Sequence, residues 1–185
     1  MAKATALIDA NNFYASCEQS LDPALQGRPV VVLSNNDGCI VARSAEARAL
    51  GIAMGTPFFQ ARRDLERLNV VVRSSNYALY ADMSQRLMSL LEQQAEDLEI
   101  YSIDEAFACL TRPMDGDLSG WARQLRARIK HNLGLPIAIG LGPSKSQAKL
   151  ANQLAKGIPA HAGVFDLGHC GDPDHWLETI AIEDV

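Results

Sequence analysis

The sequence has no apolar run approaching the ~20 residues that a membrane-spanning helix needs. It has no CxxC pair. Its four cysteines (Cys17, Cys39, Cys109, Cys170) are scattered, which argues against a disulfide framework and for reduced thiols in a cytosol. No signal peptide precedes the first apolar run, since Lys3 leads straight into it, so the expectation is a cytoplasmic protein without a membrane. After Lys156 there is no Lys or Arg, although six acids follow: Asp166, Asp172, Asp174, Glu178, Glu183 and Asp184. The other 16 of the 22 acids share residues 1–156 with all 17 bases, so that body is near neutral at +1 and the tail carries the acidity of the chain. A complete duplex-binding protein carries a strongly basic surface. Either the partner is not nucleic acid or the basic part lies outside this stretch. No internal repeat and no low-complexity segment is visible.

At 185 residues and 48% hydrophobic content, the chain can bury one core, with room for a small inserted subdomain. Short apolar, β-branched runs predict strands at about 4–9, 29–33, 39–42, 70–72, 98–103, 106–110, 136–141 and 163–165. Asn35-Asn36-Asp37-Gly38 is a turn signal suited to positive φ and closes a hairpin. Helices are expected from Asn11–Cys17, at 44–50 with Ser44 as N-cap and Gly51 as stop, and at 57–68. Others fall at 77–95, at 119–132 ended by Gly134, from a Ser144–Gln147 capping box to Gly157, and from Asp174 to Ile180. The strands at 4–9, 98–103, 106–110 and 136–141 can share a sheet, with an α/β insertion between Tyr14 and about Tyr77.

Three carboxylates stand out. Asp9 ends the first apolar run, and Asp104-Glu105 lie between Leu98–Ile103 and Ala106–Leu110. Acids seldom sit inside strand sequence without a partner. Carboxylates from separate segments suit Mg²⁺, which takes oxygen ligands and is shared with substrate phosphates. Two-metal nucleotidyl transfer uses such a set. In that reading Asp9 and Asp104 bridge both ions, Glu105 holds the ion at the attacking hydroxyl, and the backbone carbonyl near Ala10 adds an oxygen. The bland alternative is solvated strand-end acids.

Arg48 and Lys156 are candidate phosphate clamps, one a bidentate fork and the other a point charge; either alone also reads as an exposed helical charge. Lys145 and Lys149 lie in a segment without acids that can touch a nucleic-acid backbone or simply face solvent. Phe13 and Tyr14 can serve a nucleotide sugar, with core packing the favoured reading of Phe13. His131, His161, His169 and His175, with Cys170, match no zinc spacing and read as surface loop histidines.

Asp9-Ala10-Asn11-Asn12-Phe13-Tyr14-Ala15-Ser16-Cys17-Glu18 and Tyr101-Ser102-Ile103-Asp104-Glu105-Ala106-Phe107 resemble the two acidic motifs of the Y-family translesion DNA polymerases. Val30–Cys39, Ala45–Gly51, Ser74–Tyr77 and Leu79–Ser84 resemble its UmuC-like branch. The resemblance covers essentially the whole chain. It implies an α+β fold: a ferredoxin-like palm (a mixed, largely antiparallel sheet with helices on one face) over 1–14 and 78–163. It implies fingers over 15–77 and the start of a thumb over 164–185. Asp9, Ala10, Asp104 and Glu105 would hold two Mg²⁺ ions, with Mn²⁺ as a substitute. Phe13, Tyr14, Arg48 and Lys156 would contact the nucleotide, with Tyr14 the steric gate against ribonucleotides. Asp37, Gly38, Cys39 and Ile40 would roof the nascent base pair. Ala42 and Ala45 stand where many relatives carry Thr and Tyr on the triphosphate, so Arg43 or Ser44 would contribute instead. Implied partners are primer-template DNA, deoxynucleoside triphosphates, a UmuD′-type accessory protein, a RecA filament and a sliding clamp. The implied setting is the SOS response at the bacterial nucleoid.

Ile182–Val185 resembles the stretch before the thumb's helix-hairpin-helix, so the rest of the thumb and the little-finger domain would lie beyond this chain, which alone would polymerise poorly. The competing readings are a polymerase-like module that binds DNA or proteins without catalysis, which loss of one acid would favour, and a nucleotide cyclase. A cyclase would usually show a Gly-Gly-acid hairpin, which Ser102-Ile103-Asp104-Glu105 is not.

Overall fold

The computed structural model describes residues 3–112 and 117–178, the side chains of Asp174, Leu177 and Glu178 excepted. In chain order the elements are β1 (Lys3–Ala10), α1 (Phe13–Leu21), β2 (Val30–Leu33), β3 (Ile40–Arg43), α2 (Ala45–Ala49), α3 (Phe58–Arg67), β4 (Val71–Arg73) and α4 (Tyr77–Glu92). Then follow β5 (Asp97–Ile100), β6 (Glu105–Thr111), α5 (Ser119–Leu133), β7 (Ile137–Gly142), α6 (Lys145–Gly157), β8 (Val164–Asp166) and α7 (Pro173–Glu178). The chain forms two compact units. One is Asn11–Met83 with Leu133–Leu135, and the rest forms the other. The division falls at 10/11 and 83/84, where the sequence reading divides at 14/15 and 77/78.

The larger unit is built on a five-stranded sheet in the order β5-β6-β1-β7-β8. Its pairs are antiparallel except β7 with β8, which run parallel. β1 is central, so its run Ala6-Leu7-Ile8 is covered on both sides and nearly fully buried. This is why it reads as continuous apolar sequence rather than alternation. β8, the first element of the 164–185 segment, is a strand of this sheet.

Helix α6 lies across β1 and β7. Ser144 caps it, its hydroxyl accepting from Gln147 N at 3.3 Å. Ala148 packs with Leu7 and Phe107. A methyl group on Gly140 would stand 2.1 Å from Asn152 N and 2.3 Å from Ala148 O, so helix backbone rests on bare strand backbone here. Asn152 then reaches down to bond the carbonyls of Leu7 and Ala138 at 3.3 and 3.1 Å. Beyond it, Leu154, Phe165, Leu167 and Trp176 form an apolar cluster.

The smaller unit holds a sheet in the order β3-β2-β4, with β2 antiparallel to β3 and parallel to β4. Val31, Leu33, Ile40, Ala47, Leu65 and Val70 are its core. In the β2–β3 turn, Asp37 takes the left-handed conformation (φ 53°), and the Ser34 hydroxyl accepts from Gly38 N and Cys39 N.

Three expectations need correction. The strand expected at 98–103 stops at Ile100, because Tyr101 N and Ser102 N both turn to the Glu105 carbonyl (3.0 and 3.1 Å). The helix expected to reach residue 95 ends at Glu92, and Gln94 N closes a turn on Leu91 O. His161 is half-buried rather than a free surface side chain: its ring lies 4.5 Å from Phe165 and 5.4 Å from Trp176, against the apolar cluster. The last expected helix begins at Pro173, and its end at Ile180 lies outside the described residues, as does Ile182–Val185. Among the described residues, no helix is long and apolar enough to cross a membrane.

Candidate active site

Asp9 is the next-to-last residue of β1 and only 6% exposed. Glu105 opens β6 and is its cross-strand partner in the antiparallel register. Directly opposed residues project from the same face with their Cβ atoms ~5 Å apart, so the two carboxyls meet. Asp104 precedes Glu105 in the turn, and its carbonyl accepts from Ala10 N at 2.9 Å. That bond ties the turn to the end of β1. The Asp104 side chain accepts from Ser102 Oγ at 2.7 Å.

Lys156, in the last turn of α6, donates from Nζ to Asp9 Oδ2 at 2.5 Å. The placement follows from the seating of α6 on Gly140, which carries the helix along β1 toward the acids. Lys145 and Lys149 lie on the same helix. Lys149 Nζ stands 5.4 Å over the Tyr101 ring, and Lys145 stands over Phe107 while paired with Glu99.

One ammonium against three acids leaves this corner short of positive charge. Burial, with the Asp9 hydrogen bond and the charges of Asp9 and Asp104, pushes the Glu105 carboxyl up to about 7, and Lys156 only partly opposes it. The sign of the linked stability follows. Between about 4.5 and 7 the folded chain holds a proton that the unfolded chain has lost. The contribution is therefore full at acid pH and is lost as pH rises through 7. Glu105→Gln should accordingly raise the thermal midpoint over the parent at about pH 8, and the gain should vanish near pH 4.5. A pH series of melting curves in chelator checks it; an equal gain at both ends would refute the crowded-carboxylate account.

Among the described residues, no three His, Cys, Asp or Glu side chains form a ready metal cage. Asp9 is turned to Lys156 and Asp104 to Ser102. The donor chemistry nevertheless fits a hard divalent cation: three neighbouring carboxylates at the end of β1, with the Glu105 carboxyl raised by burial and by the other two.

In the smaller unit, Arg48 is exposed on α2. Asp37 and Gly38 are exposed at the hairpin tip, Cys39 is half-buried and Ile40 is buried in the core. Ser44 Oγ is committed as the α2 cap, accepting from Ala47 N and Val30 N, and is fully buried. That removes it as a phosphate ligand. Arg43 Nη1 donates to the Ile52 carbonyl. Phe13 is buried, as the packing reading expects. Tyr14 stacks on Tyr80, with ring centroids 4.3 Å apart and planes 12° apart. Neither Tyr80 nor Ser102 was singled out by the sequence reading. The signal available for Tyr80 was its i+3 spacing from Tyr77, which puts both rings on one side of the helix.

A five-stranded mixed sheet with acids at the ends of its two middle strands, joined to a small α/β unit, is the palm-and-fingers fold of Y-family DNA polymerases. The insertion ternary complex of Dbh DNA polymerase matches it with a TM-score of 0.83 at 26% identity, covering 98% of this chain and 53% of that one. DinB from Sulfolobus solfataricus matches with a TM-score of 0.80, again at 26% identity and over 98% and 53%. The chain belongs to the impB/mucB/samB family (IMS), whose model matches residues 8–153. It is 49% identical to Protein UmuC of Salmonella typhimurium strain LT2 over 182 residues, covering 97% of this chain and 43% of UmuC. It is 39% identical to DNA polymerase IV of Corynebacterium diphtheriae over 153 residues, 80% of this chain and 34% of that protein. The chain thus spans less than half the length of these curated relatives.

Proposed function

We propose that this chain is the catalytic core of a template-directed DNA polymerase for translesion synthesis in the SOS response to DNA damage. One observation supports it above the rest: Asp9 and Glu105 are opposed in register at the ends of β1 and β6, with Asp104 tied to Ala10 beside them. Palm (1–14 and 78–163), fingers (15–77) and the start of a thumb (164–185) are the corresponding domains.

The reaction is attack of a primer 3′-hydroxyl on the α-phosphate of a deoxynucleoside triphosphate. A new P–O bond forms, the bond to the β-phosphate oxygen breaks, and pyrophosphate leaves. Asp9, Asp104, Glu105 and the Ala10 carbonyl would hold two Mg²⁺ ions, or Mn²⁺ in their place, which supply charge neutralisation at the attacking and leaving oxygens. Lys156, part-exposed at Asp9, is free to take a triphosphate oxygen once Asp9 has another counter-charge. Arg48 offers its exposed guanidinium to the triphosphate. No described side chain stands out as a general base, so positioning and electrostatics carry the chemistry. The Asp37–Ile40 hairpin roofs the base pair through its exposed tip, since Ile40 itself is core. Partners of the whole polymerase would be primer-template DNA, a UmuD′-type protein, a RecA filament and a sliding clamp, at the bacterial nucleoid.

Tyr14 acts as the steric gate. Tyr14→Ala should raise ribonucleotide incorporation relative to deoxynucleotide by about 10- to 100-fold, the scale of discrimination by fit in a pocket. Primer extension with each sugar measures it, and an unchanged ratio would remove the gate role. Primer extension with Mg²⁺ by the intact polymerase, with and without its acids, tests the reading as a whole.

A further inference from the structure

Tyr14 does not stand alone. It shares one face of α1 with Glu18, one turn later, an i,i+4 pair. Tyr77 and Tyr80 share a face of α4 at i,i+3. The Tyr80 ring lies flat on Tyr14, 4.3 Å away and 12° from parallel. Its hydroxyl donates to Glu18 Oε1 at 2.9 Å. Tyr77 stands edge-on to both rings at 6.1 Å. Behind this group, Arg73 reaches Glu18 at 3.9 Å and Asp22 at 3.2 Å from β4. Tyr80 is fully buried, and burial together with the Glu18 carboxylate raises its phenol well above the ordinary range. It is therefore a neutral donor at any working pH.

A buried phenol whose rotamer is fixed by hydrogen bonding is a rigid plate. A gate works by refusing a single extra oxygen, so a small displacement of its ring is enough to lose selectivity. We infer that Tyr80, locked by Glu18 and Arg73, is a positioning residue for Tyr14, and that sugar selection depends on this stack as well as on the gate itself. The inference rests on Tyr14 being the gate. It assigns Tyr80 and Glu18 no contact with substrate.

The test measures the ratio of deoxy- to ribonucleotide incorporation efficiency by the intact polymerase carrying Tyr14→Ala, Tyr80→Leu, Tyr80→Phe or Glu18→Leu, which removes the acceptor of the Tyr80 hydroxyl, and the double variant Tyr14→Ala with Tyr80→Leu. Tyr80→Leu removes the plate and should lower the ratio about fivefold or more, with deoxynucleotide turnover largely kept, the range of coupling between residues in contact. Tyr80→Phe keeps the ring and frees it from Glu18. It should lower the ratio less, and by about the same factor as Glu18→Leu. In the double variant, Tyr80→Leu should add nothing to Tyr14→Ala, since there is no gate left to position. Selectivity intact in Tyr80→Leu while Tyr14→Ala loses it would overturn the inference and leave the gate standing. Tyr14→Ala without effect would overturn both. Equal losses with both sugars in Tyr80→Leu would mark a purely structural role and overturn it too. Should that variant fail to fold, Tyr80→Phe and Glu18→Leu decide the matter: an unchanged ratio in both would reject the lock.

Discussion

Asp104→Ala should reduce primer extension by the intact polymerase about 10³-fold or more, because it removes a carboxylate from the place where phosphoryl charge must be neutralised. Asp104 is a cleaner target than Asp9. Asp9 is buried and paired with Lys156, so its removal strands an ammonium and costs stability. The Asp104 side chain accepts from Ser102 and sits in a half-exposed turn. Its backbone bond to Ala10 N survives the substitution. The variant should therefore melt close to the parent while losing extension. Single-turnover extension and a melting curve on the same preparation check both halves. Retained extension would reject the metal-site assignment.

Gly140→Ala should destabilise the larger unit by about 3 kcal/mol or prevent its folding, at or beyond the upper end for an added core methyl. The methyl would overlap helix backbone, 2.1 Å from Asn152 N and 2.3 Å from Ala148 O. No rotamer change relieves that clash, so α6 must lift from the sheet. Asn152 then loses its bonds to the β1 and β7 carbonyls, and Lys156 is drawn away from Asp9. Gly142→Ala, with its nearest atoms at 2.9 Å, should cost less, and Gly157→Ala, with nothing within 4 Å, should be near neutral. Denaturant midpoints for the three variants measure the gradient, and equal effects at 140 and 157 would contradict it.

Much of the fold was legible because it is written in short-range pattern. The apolar stretch before Asp9 had to be a strand, and the Asn35–Gly38 turn had to close a hairpin. The Ser44 and Ser144 hydroxyls both cap the helices expected of them. The misreadings share a cause. Leu98–Ile103 reads as a strand with Ile100, Tyr101 and Ile103, yet two backbone amides fold back on Glu105 O and stop the strand early. Ser44 was available to phosphate on sequence grounds, but the cap and the bond from Val30 N leave it buried. His161 sits in a loop between α6 and β8 and its ring packs against Phe165 and Trp176, residues 4 and 15 positions away.

The site divides in the same way. Its acids were visible as charges inside strand sequence, an arrangement a chain does not adopt without a use for it. Their meeting was not visible, because opposing Asp9 to Glu105 depends on strand order and register across nearly a hundred residues. The bond from Lys156 to Asp9 spans 147 positions and exists because a strand glycine lets a helix settle close. The stack of Tyr80 on Tyr14 likewise needs α1 and α4 to meet face to face.

By itself the amino-acid order determined which segments are strands and helices, where they are capped and which carboxylates stand at strand ends, because those properties arise between residues a few positions apart. Only the tertiary structure decided which carboxylates oppose each other, which lysine answers them and which ring backs Tyr14, because such contacts depend on how distant elements pack, and no local period encodes that.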